Sequence, residues 1–200
     1  MNEKDKKEIR NTSYQVTADS ESRTVEGYAL LFGVRSDGLP FEEEIQRGAL
    51  DDVLAKSDVF ALLNHDQSRG ILARWKGREG SLHLEVDEKG LKYRFEAPKT
   101  ALGDELLENI RRGEVDESSF AFTVEKDTWE KKSDGTWKRS IDKINELFDV
   151  SPVYNAAYSH TSVYMRGKEQ AEQLLQKEEE RRKEAELSAY FDKIEKTMNI

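Results

Sequence analysis

The sequence of 200 residues contains no cysteine, three prolines and three histidines. The absence of cysteine excludes disulfides, cysteine nucleophiles, iron–sulfur clusters and thiolate zinc sites. So few histidines argue against a multi-histidine metal centre, and neither a metal nor a cofactor is expected. Any catalysis by histidine must use His65, His83 or His160.

Excess positive charge and long apolar runs are also missing. The chain has 32 basic and 41 acidic residues and a formal net charge of −9, which argues against nucleic acid as a partner. No apolar run approaches the ~20 residues of a membrane span, so no membrane partner is expected. The charged start lacks the apolar stretch of a signal peptide. These absences predict a soluble protein of a reducing cytoplasm.

Motifs of several common enzyme classes are absent. Neither the G-x-G-x-x-G nor the G-x-x-x-x-G-K-[ST] phosphate loop occurs, which argues against nucleotide-dependent chemistry. The G-x-S-x-G elbow is missing as well, so an α/β-hydrolase is not expected.

Composition divides the chain into three segments. Residues 1–13 are almost entirely polar and predict a flexible arm. Residues 14–166 alternate short apolar runs with turn residues and form the expected folded domain. Residues 167–200 are rich in Glu, Lys, Gln, Arg and Ala and predict a charged amphipathic helical tail. Its apolar stripe consists of Leu187, Tyr190, Phe191, Ile194 and Met198. Such a tail either packs on its own domain or binds a partner.

The middle segment predicts mostly strands. They are expected at residues 24–32, 58–63, 81–86, 91–95, 120–129 and 137–144. Strict alternation places Leu82, Leu84 and Val86 on one face of a strand. Turn residues after Val86, and again around residues 133–135, predict two hairpins.

Two helices are expected among the strands. The first is short and covers residues 48–55. The second covers residues 100–112, where Thr100 can cap the start and Gly113 can end the helix.

The histidines differ in what their surroundings predict. His65 follows the apolar run of a predicted strand, a common place for a catalytic side chain, although its neighbours Asn64 and Asp66 also suit a simple turn. His83 shares the solvent face of an alternating strand. His160 precedes the end of the folded segment as a loop residue or a second catalytic histidine.

Hydroxyl and carboxylate candidates complete the set. Ser118 and Ser119 open a predicted strand and are either turn residues or a nucleophile. A catalytic serine needs a base to take its proton and a third group to orient that base. Glu146 and Asp149 lie near a predicted strand and are the candidate carboxylates for orienting the base.

Five short blocks in this order resemble a known family. They are Glu26–Phe32, Gln46–Leu50, Leu62–Asp66, Ser119–Phe122 and Glu146–Val153, the last followed by Ala156-Ala157-Tyr158. The pattern is similar to the tailed-phage prohead proteases, the serine peptidases of head maturation. The resemblance covers about residues 14–166.

The resemblance implies both a fold and a function. The family is similar to the herpesvirus capsid-maturation proteases, which implies an α+β fold with a mostly antiparallel β-barrel ringed by a few helices. The implied activity is that of a serine endopeptidase inside the assembling procapsid in the host cytoplasm. The implied partners are the scaffold segment of the major capsid protein, the protease itself and a second copy in a homodimer.

Residue by residue, the resemblance assigns three catalytic roles. His65 matches the general base, Ser119 the nucleophile and Asp149 the acid that orients the base. Glutamate is commoner at the acid position, which keeps Glu146 open, and Ser118 remains the alternative nucleophile.

Three departures and one further alternative accompany this assignment. Ala121 stands where glycine is usual, Asn155-Ala156-Ala157 replaces a proline-alanine pair, and the acid is aspartate. The herpesvirus enzymes use a second histidine as third member, which keeps His160 open.

A non-enzymatic alternative is a capsid scaffold or assembly factor. It accounts for the acidic charge and the helical tail equally well, but it leaves His65 and Ser119 without a role. The distance between the Ser119 hydroxyl and a nitrogen of His65 distinguishes the two interpretations.

Overall fold

Two β-sheets, two α-helices and a short 3₁₀ helix over Gln67–Arg69 make up the described fold between residues 6 and 154. The computed structural model of the chain describes residues 6–12, 15–19, 22–36, 39, 41–77, 79–154, 176–177 and 179–184. The strands are β1 (Glu8–Thr12), β2 (Thr17–Ala18), β3 (Thr24–Leu31), β4 (Glu42–Ile45), β5 (Asp58–Ala61), β6 (Ala73–Lys76), β7 (Glu79–Gly80), β8 (Leu82–Val86), β9 (Gly90–Glu96), β10 (Val115–Lys131) and β11 (Trp137–Tyr154). The α-helices are α1 (Val53–Lys56) and α2 (Ala101–Arg112). The chain is therefore strand-rich and mixed α+β, as the sequence predicts.

The larger sheet is organised around the long hairpin of β10 and β11. Its strands follow the order β1-β10-β11-β5-β6-β7, and β4 also pairs with β11. Both β4 and β5 run parallel to β11, whereas the other pairs in this sheet are antiparallel. The hairpin closes over the predicted turn, where Gly135 adopts a φ of 84°, a left-handed conformation that suits glycine.

The smaller sheet has the order β2-β3-β9-β8 and contains the other predicted hairpin. Leu82 and Leu84 are buried and His83 is exposed, as the alternation predicts. Val86 shares the face of Leu82 and Leu84 in β8, but it is 45% exposed. It is the last residue of β8, next to the hairpin turn, where no core side chains cover it.

Helix α2 matches the predicted residues 100–112. The Thr100 hydroxyl accepts a hydrogen bond from the Gly103 amide, and Gly113 ends the helix in a left-handed conformation. The predicted helix over residues 48–55 is wrong at its start, because α1 begins only at Val53. Gly48 and Asp52 have positive φ angles, which turn the backbone before the helix forms. No helix of the described residues is long and apolar enough to span a membrane.

The main core draws apolar side chains from both sheets and both helices. Its largest fully buried members are Leu30, Leu63, Leu82, Leu91, Tyr93, Phe95, Leu106, Phe120, Phe122, Ile141, Ile144 and Leu147. The close approach of strands is visible at Gly90, where an added Cβ would lie 1.9 Å from the Leu30 carbonyl oxygen. A side chain at that position would force β3 and β9 apart.

The start of the chain differs from the sequence expectation, and most of the tail lies outside the described residues. Residues 8–12, predicted within a flexible arm, form β1 along the edge of β10. The polar composition of this segment alone predicts no ordered structure, but strand pairing and buried ion pairs hold it in place. The predicted apolar stripe of the tail and His160 lie outside the described residues, whereas residues 176–177 and 179–184 are helical and exposed.

Candidate active site

His65 lies in a tight turn that follows the buried end of β5. Asn64 and His65 have φ angles of 55° and 60°, an uncommon conformation for side chains other than glycine. The Asn64 amide donates to the Pro152 carbonyl at 3.0 Å, and the Asp66 carboxylate accepts from the Ser68 amide at 2.9 Å. The neighbours of His65 therefore form a turn that holds the histidine in place. The interpretation of this segment as a turn and its interpretation as the position of a catalytic histidine are compatible.

Ser119 and Asp149 reach the same face of the larger sheet through the register of β10 and β11. Asp149 lies opposite Ala121, two residues along β10 from Ser119, and residues two apart share a face. On its other side β11 pairs in parallel with β5, the strand that leads to His65. Three neighbouring strands thus deliver a hydroxyl, a carboxylate and an imidazole to one point.

The three side chains form a continuous hydrogen-bonded chain. His65 Nε2 lies 2.6 Å from Ser119 Oγ, and His65 Nδ1 lies 2.5 Å from Asp149 Oδ1. Ser119 and Asp149 are buried, while the side chain of His65 retains 18% of its exposure. We call these three residues the triad. A hydroxyl beside an imidazole whose far nitrogen is held by a carboxylate is the arrangement that activates serine for attack on an acyl carbon.

The surroundings of Asp149 favour its ionised form. Burial acts to raise the pKa of Asp149, but the hydrogen bond and charge of His65, the charge of Lys7 and the Ser151 hydroxyl together lower that pKa below its ordinary value. Ser151 Oγ donates to Oδ1 at 2.8 Å and Lys7 Nζ donates to Oδ2 at 3.1 Å. Because a carboxylate only accepts, His65 Nδ1 must carry a proton, which leaves Nε2 free to take one from Ser119.

Strand β1 adds a second acceptor for the Ser119 hydroxyl. Ser119 Oγ lies 2.9 Å from the carbonyl oxygen of Arg10, to which it can donate. The hydroxyl has one proton and two acceptors, His65 Nε2 and the Arg10 carbonyl. A hydrogen bond to Arg10 therefore competes with the transfer of that proton to His65.

Comparison with known proteins places the chain in a family. A family model described as caudovirus prohead serine protease matches residues 8–196. The chain belongs to this family. A solved structure, described as the bacteriophage T4 capsid assembly protease gp21, is similar at a TM-score of 0.43 and 15% identity, covering 75% of this chain and 98% of that one. No curated protein matches the sequence.

Family membership decides between the two interpretations left open by the sequence. The chain is a serine protease of phage head maturation rather than a non-enzymatic assembly factor. Among the residues that the structure describes, no three His, Asp or Glu side chains group as metal ligands would.

The alternative site residues of the protease lie elsewhere or outside the described chain. The Ser118 hydroxyl is fully buried and hydrogen-bonded to Tyr93 Oη at 2.8 Å, which directs it away from His65. Glu146 is exposed and lies opposite Thr123 in the register of the hairpin. His83 is exposed on the smaller sheet. His160 is not among the described residues.

A second polar cluster, which sequence reasoning missed, is connected to the triad through Arg10, whose carbonyl oxygen contacts Ser119. It contains Glu8, Arg10, Glu43 and Arg139, and we call it the charged cluster. Arg10 binds Glu43 through both ends of its guanidinium, with Nη2 to Oε2 at 2.8 Å, and Arg139 Nη1 binds the same Oε2 at 3.0 Å. Glu8 bridges the two arginines. Its members come from three distant parts of the chain, so no local sequence motif predicts the cluster.

Glu8 and Arg10 of the charged cluster stay ionised over a wide pH range. Burial acts to raise the pKa of Glu8, but the charges and hydrogen bonds of Arg10 and Arg139 lower it to about 2. Burial acts to lower the pKa of Arg10, but Glu43 and Glu8 raise it above its ordinary value. Each charge is therefore stabilised by a partner of opposite sign.

Proposed function

We propose that Ser119 is the nucleophile of this serine protease, that His65 is its general base and that Asp149 orients His65. The observation that carries the proposal is the hydrogen-bonded chain from Ser119 Oγ through both nitrogens of His65 to Asp149. The alternative residues named by the sequence have no comparable contacts among the described residues.

The proposed reaction follows from the protons that these groups can hold. Ser119 Oγ forms a bond to the carbonyl carbon of the peptide while its proton moves to His65 Nε2, and the carbonyl electron pair moves to oxygen. Collapse of this intermediate breaks the C–N bond, and the leaving amine takes the proton from His65. Water then attacks the acyl-enzyme with His65 again as base, which releases a carboxylic acid and restores Ser119. Asp149 stays ionised and stabilises the charged imidazole.

Replacement of Ser119 or His65 tests the assignment. We expect Ser119→Ala and His65→Ala each to lower the rate of peptide-bond cleavage by several orders of magnitude, since such groups act as a unit. His83→Ala, on the exposed face of the smaller sheet, is the matched control and keeps the parental rate. Processing at an unchanged rate by the Ser119→Ala or the His65→Ala chain would contradict the assignment.

We further propose that the substrates are the scaffold segment of the major capsid protein and the protease itself. The description of the family assigns its members to the prohead, and the interior of the procapsid in the host cytoplasm is where both substrates would be at high local concentration. Incubation of the protein with unprocessed capsid protein, followed by mass mapping of the products, tests this proposal. Cuts confined to the mature part of the capsid protein would speak against it.

The helical tail is proposed to recruit the enzyme to scaffold helices and to be removed by self-cleavage. The change in composition at Gly167 supports a boundary between the domain of residues 14–166 and a tail of residues 167–200. Intact mass measurement of aged protein should find a cut between the two segments, and an intact chain under active conditions would count against it.

Two finer structural expectations belong to the same proposal. The two sheets are proposed to form a barrel like that of the herpesvirus enzymes, and the protein is proposed to act as a homodimer. Light scattering coupled to size-exclusion chromatography measures the second directly, and a monomer at the working concentration would refute it.

A further inference from the structure

Strand β1 occupies the open edge of β10 in the way that a peptide would. It is extended and antiparallel, with a register that runs from Glu8 opposite Phe122 to Thr12 opposite Ser118. It forms the outermost strand of the larger sheet, so no further described strand lies beyond it. Addition of an extended segment to a sheet edge is a general mode of peptide recognition. A peptide that reaches Ser119 along this edge must take the place of β1.

The register of β1 defines which residue of such a peptide meets the nucleophile. The Arg10 carbonyl oxygen is 2.9 Å from Ser119 Oγ. A peptide held in the same register therefore presents to Ser119 the carbonyl group of the residue that replaces Arg10. The bond broken would be the one that follows this residue.

The surroundings of the Arg10 side chain suit a cation. Arg10 lies opposite Phe120, and its guanidinium stacks over the Phe122 ring at 5.7 Å, so the side chain points to the sheet face opposite Ser119. There its two-pronged contact with Glu43 is buried, and Glu43 itself is 1% exposed. A neutral side chain in this place would leave a buried carboxylate short of a partner, which is costly.

The position two residues earlier suits an anion. Glu8 accepts hydrogen bonds from Arg139 Nη1 at 2.8 Å and from Nη2 at 3.0 Å. If β1 leaves, Glu43 keeps its contact with Arg139 and a hydrogen bond from the Ser36 hydroxyl to Oε1 at 3.4 Å, but Oε1 loses its charged partner Arg10. Arg139 loses the partner of Nη2. The vacated edge thus offers an acceptor at the place of Arg10 and donors at the place of Glu8.

We propose that Glu43 is a specificity-determining residue of the protease, which selects peptides with a basic side chain at the carbonyl that Ser119 attacks, and that Arg139 favours an acidic side chain two residues before it. This inference rests on the proposed catalytic role of Ser119. The preferred substrate is an extended acidic–any–basic segment, cut after the basic residue. The arginine fork is preferred to lysine because only the fork can reproduce both contacts with Glu43.

A peptide series on the full-length chain tests the proposal. The probes are a synthetic peptide with the sequence of residues 4–16 and its Arg10→Lys, Arg10→Gln, Arg10→Glu and Glu8→Gln versions, with unfolded casein as a general substrate. We expect cleavage of the parent peptide after its arginine. The kcat/KM falls by about 100-fold with glutamine and further with glutamate, whereas lysine costs about 10-fold and the Glu8→Gln change about 10-fold.

Changes in the protease provide the second arm. In the Glu43→Gln chain the preference for the arginine over the glutamine peptide should fall to less than about a tenth of its original value. Glu44→Gln is the matched control, because Glu44 is the next residue of β4 and binds Lys138 and Gln46 instead. Should Glu43→Gln fail to fold, the peptide series with the unaltered chain still decides.

The outcomes separate the inference from the function on which it rests. Equal cleavage of the arginine and glutamine peptides, cuts at other bonds, or digestion of casein without cleavage of any peptide overturns the inference and leaves the proposed triad standing. Cleavage of casein and peptides by the Ser119→Ala chain, or no cleavage by the unaltered chain, overturns both.

Discussion

Arg10 joins two polar clusters of opposite character. Its carbonyl oxygen meets the triad, where a hydroxyl and an imidazole can exchange a proton. Its guanidinium belongs to the charged cluster, where pKa shifts hold Glu8 and Arg10 in their ionised forms. A catalytic site needs groups that exchange a proton, as Ser119 and His65 can, whereas groups buried for binding must keep their charge. Substitutions in the triad should therefore alter rate, and substitutions in the charged cluster should alter stability.

The largest expected effect is on rate and concerns Asp149. Asp149→Asn keeps the shape of the side chain but no longer fixes the proton on His65 Nδ1, so kcat should fall by about 10⁴-fold. Circular dichroism should show the parental fold. Glu146→Gln, at the exposed carboxylate three residues earlier, is the control and should keep the parental kcat. A loss of similar size in that control would make Glu146 the better candidate for the acid.

The largest expected effect on stability concerns Arg139. Arg139→Leu leaves Glu8, Glu43 and Asp127 to share fewer positive partners, and the free energy of unfolding should fall by about 3–5 kcal/mol. Urea denaturation measures this change. Arg111→Leu removes an exposed pair on α2 and should cost no more than about 0.5 kcal/mol. Equal urea midpoints for the two variants would mean that the buried charged cluster contributes no more to stability than an exposed ion pair.

A smaller effect with a defined pH dependence is expected at Glu8. The pKa of Glu8 falls from 4.5 to about 2 on folding, so the folded chain binds fewer protons than the unfolded one across that interval. Its contribution, about 3 kcal/mol, is fully present above pH 4.5 and is lost as the pH falls towards 2. Unfolding free energies of Glu8→Gln and the parent should differ at pH 7 and converge near pH 2.

The control for this pH dependence is an exposed glutamate. Glu88→Gln lies in the turn between β8 and β9, and its unfolding free energy should follow that of the parent at every pH. A constant difference between Glu8→Gln and the parent down to pH 2 would show that the contribution is packing rather than charge.

The smallest expected effect separates the two neighbouring serines. Ser118→Ala leaves the buried Tyr93 hydroxyl without its partner and should cost about 2 kcal/mol of stability with no change in kcat. The addition of Tyr93→Phe should recover part of that loss, because neither hydroxyl then remains. A fall in kcat for Ser118→Ala at full folding would move Ser118 into the site.

The sequence predicts the strands of the middle segment better than it predicts the start of the chain. The hairpin of β10 and β11, the helix α2 and the hairpin of β8 and β9 follow from local periodicity and turn residues, which act over a few positions. Local surroundings made His65, Ser119 and Asp149 candidates, and the family resemblance assigned their roles. Their convergence depends on a strand register that local patterns do not specify.

What the sequence misses has a common physical cause. The segment of residues 8–12 has no apolar periodicity, and its order depends on pairing with β10, more than a hundred residues away. The contact between Arg10 and Glu43 spans 33 residues, and the contact between Glu8 and Arg139 spans 131. In the helix predicted over residues 48–55, the left-handed Asp52 delays the start, because turn geometry there outweighs helical propensity.

The hairpin of β10 and β11 carries both Ser119 and Asp149, and its pairing contains several register shifts, one of them between Ala121 and Phe122. A strand that slips by a single position turns every side chain to the opposite face. During folding, a hairpin closed one residue out of register would send the hydroxyl into the core and Phe120 to the surface. Such a hairpin would bury the wrong residues and find no partner for His65. Burial of Phe120 in the core and the contact of Ser119 with His65 therefore require the same register of β10 against β11.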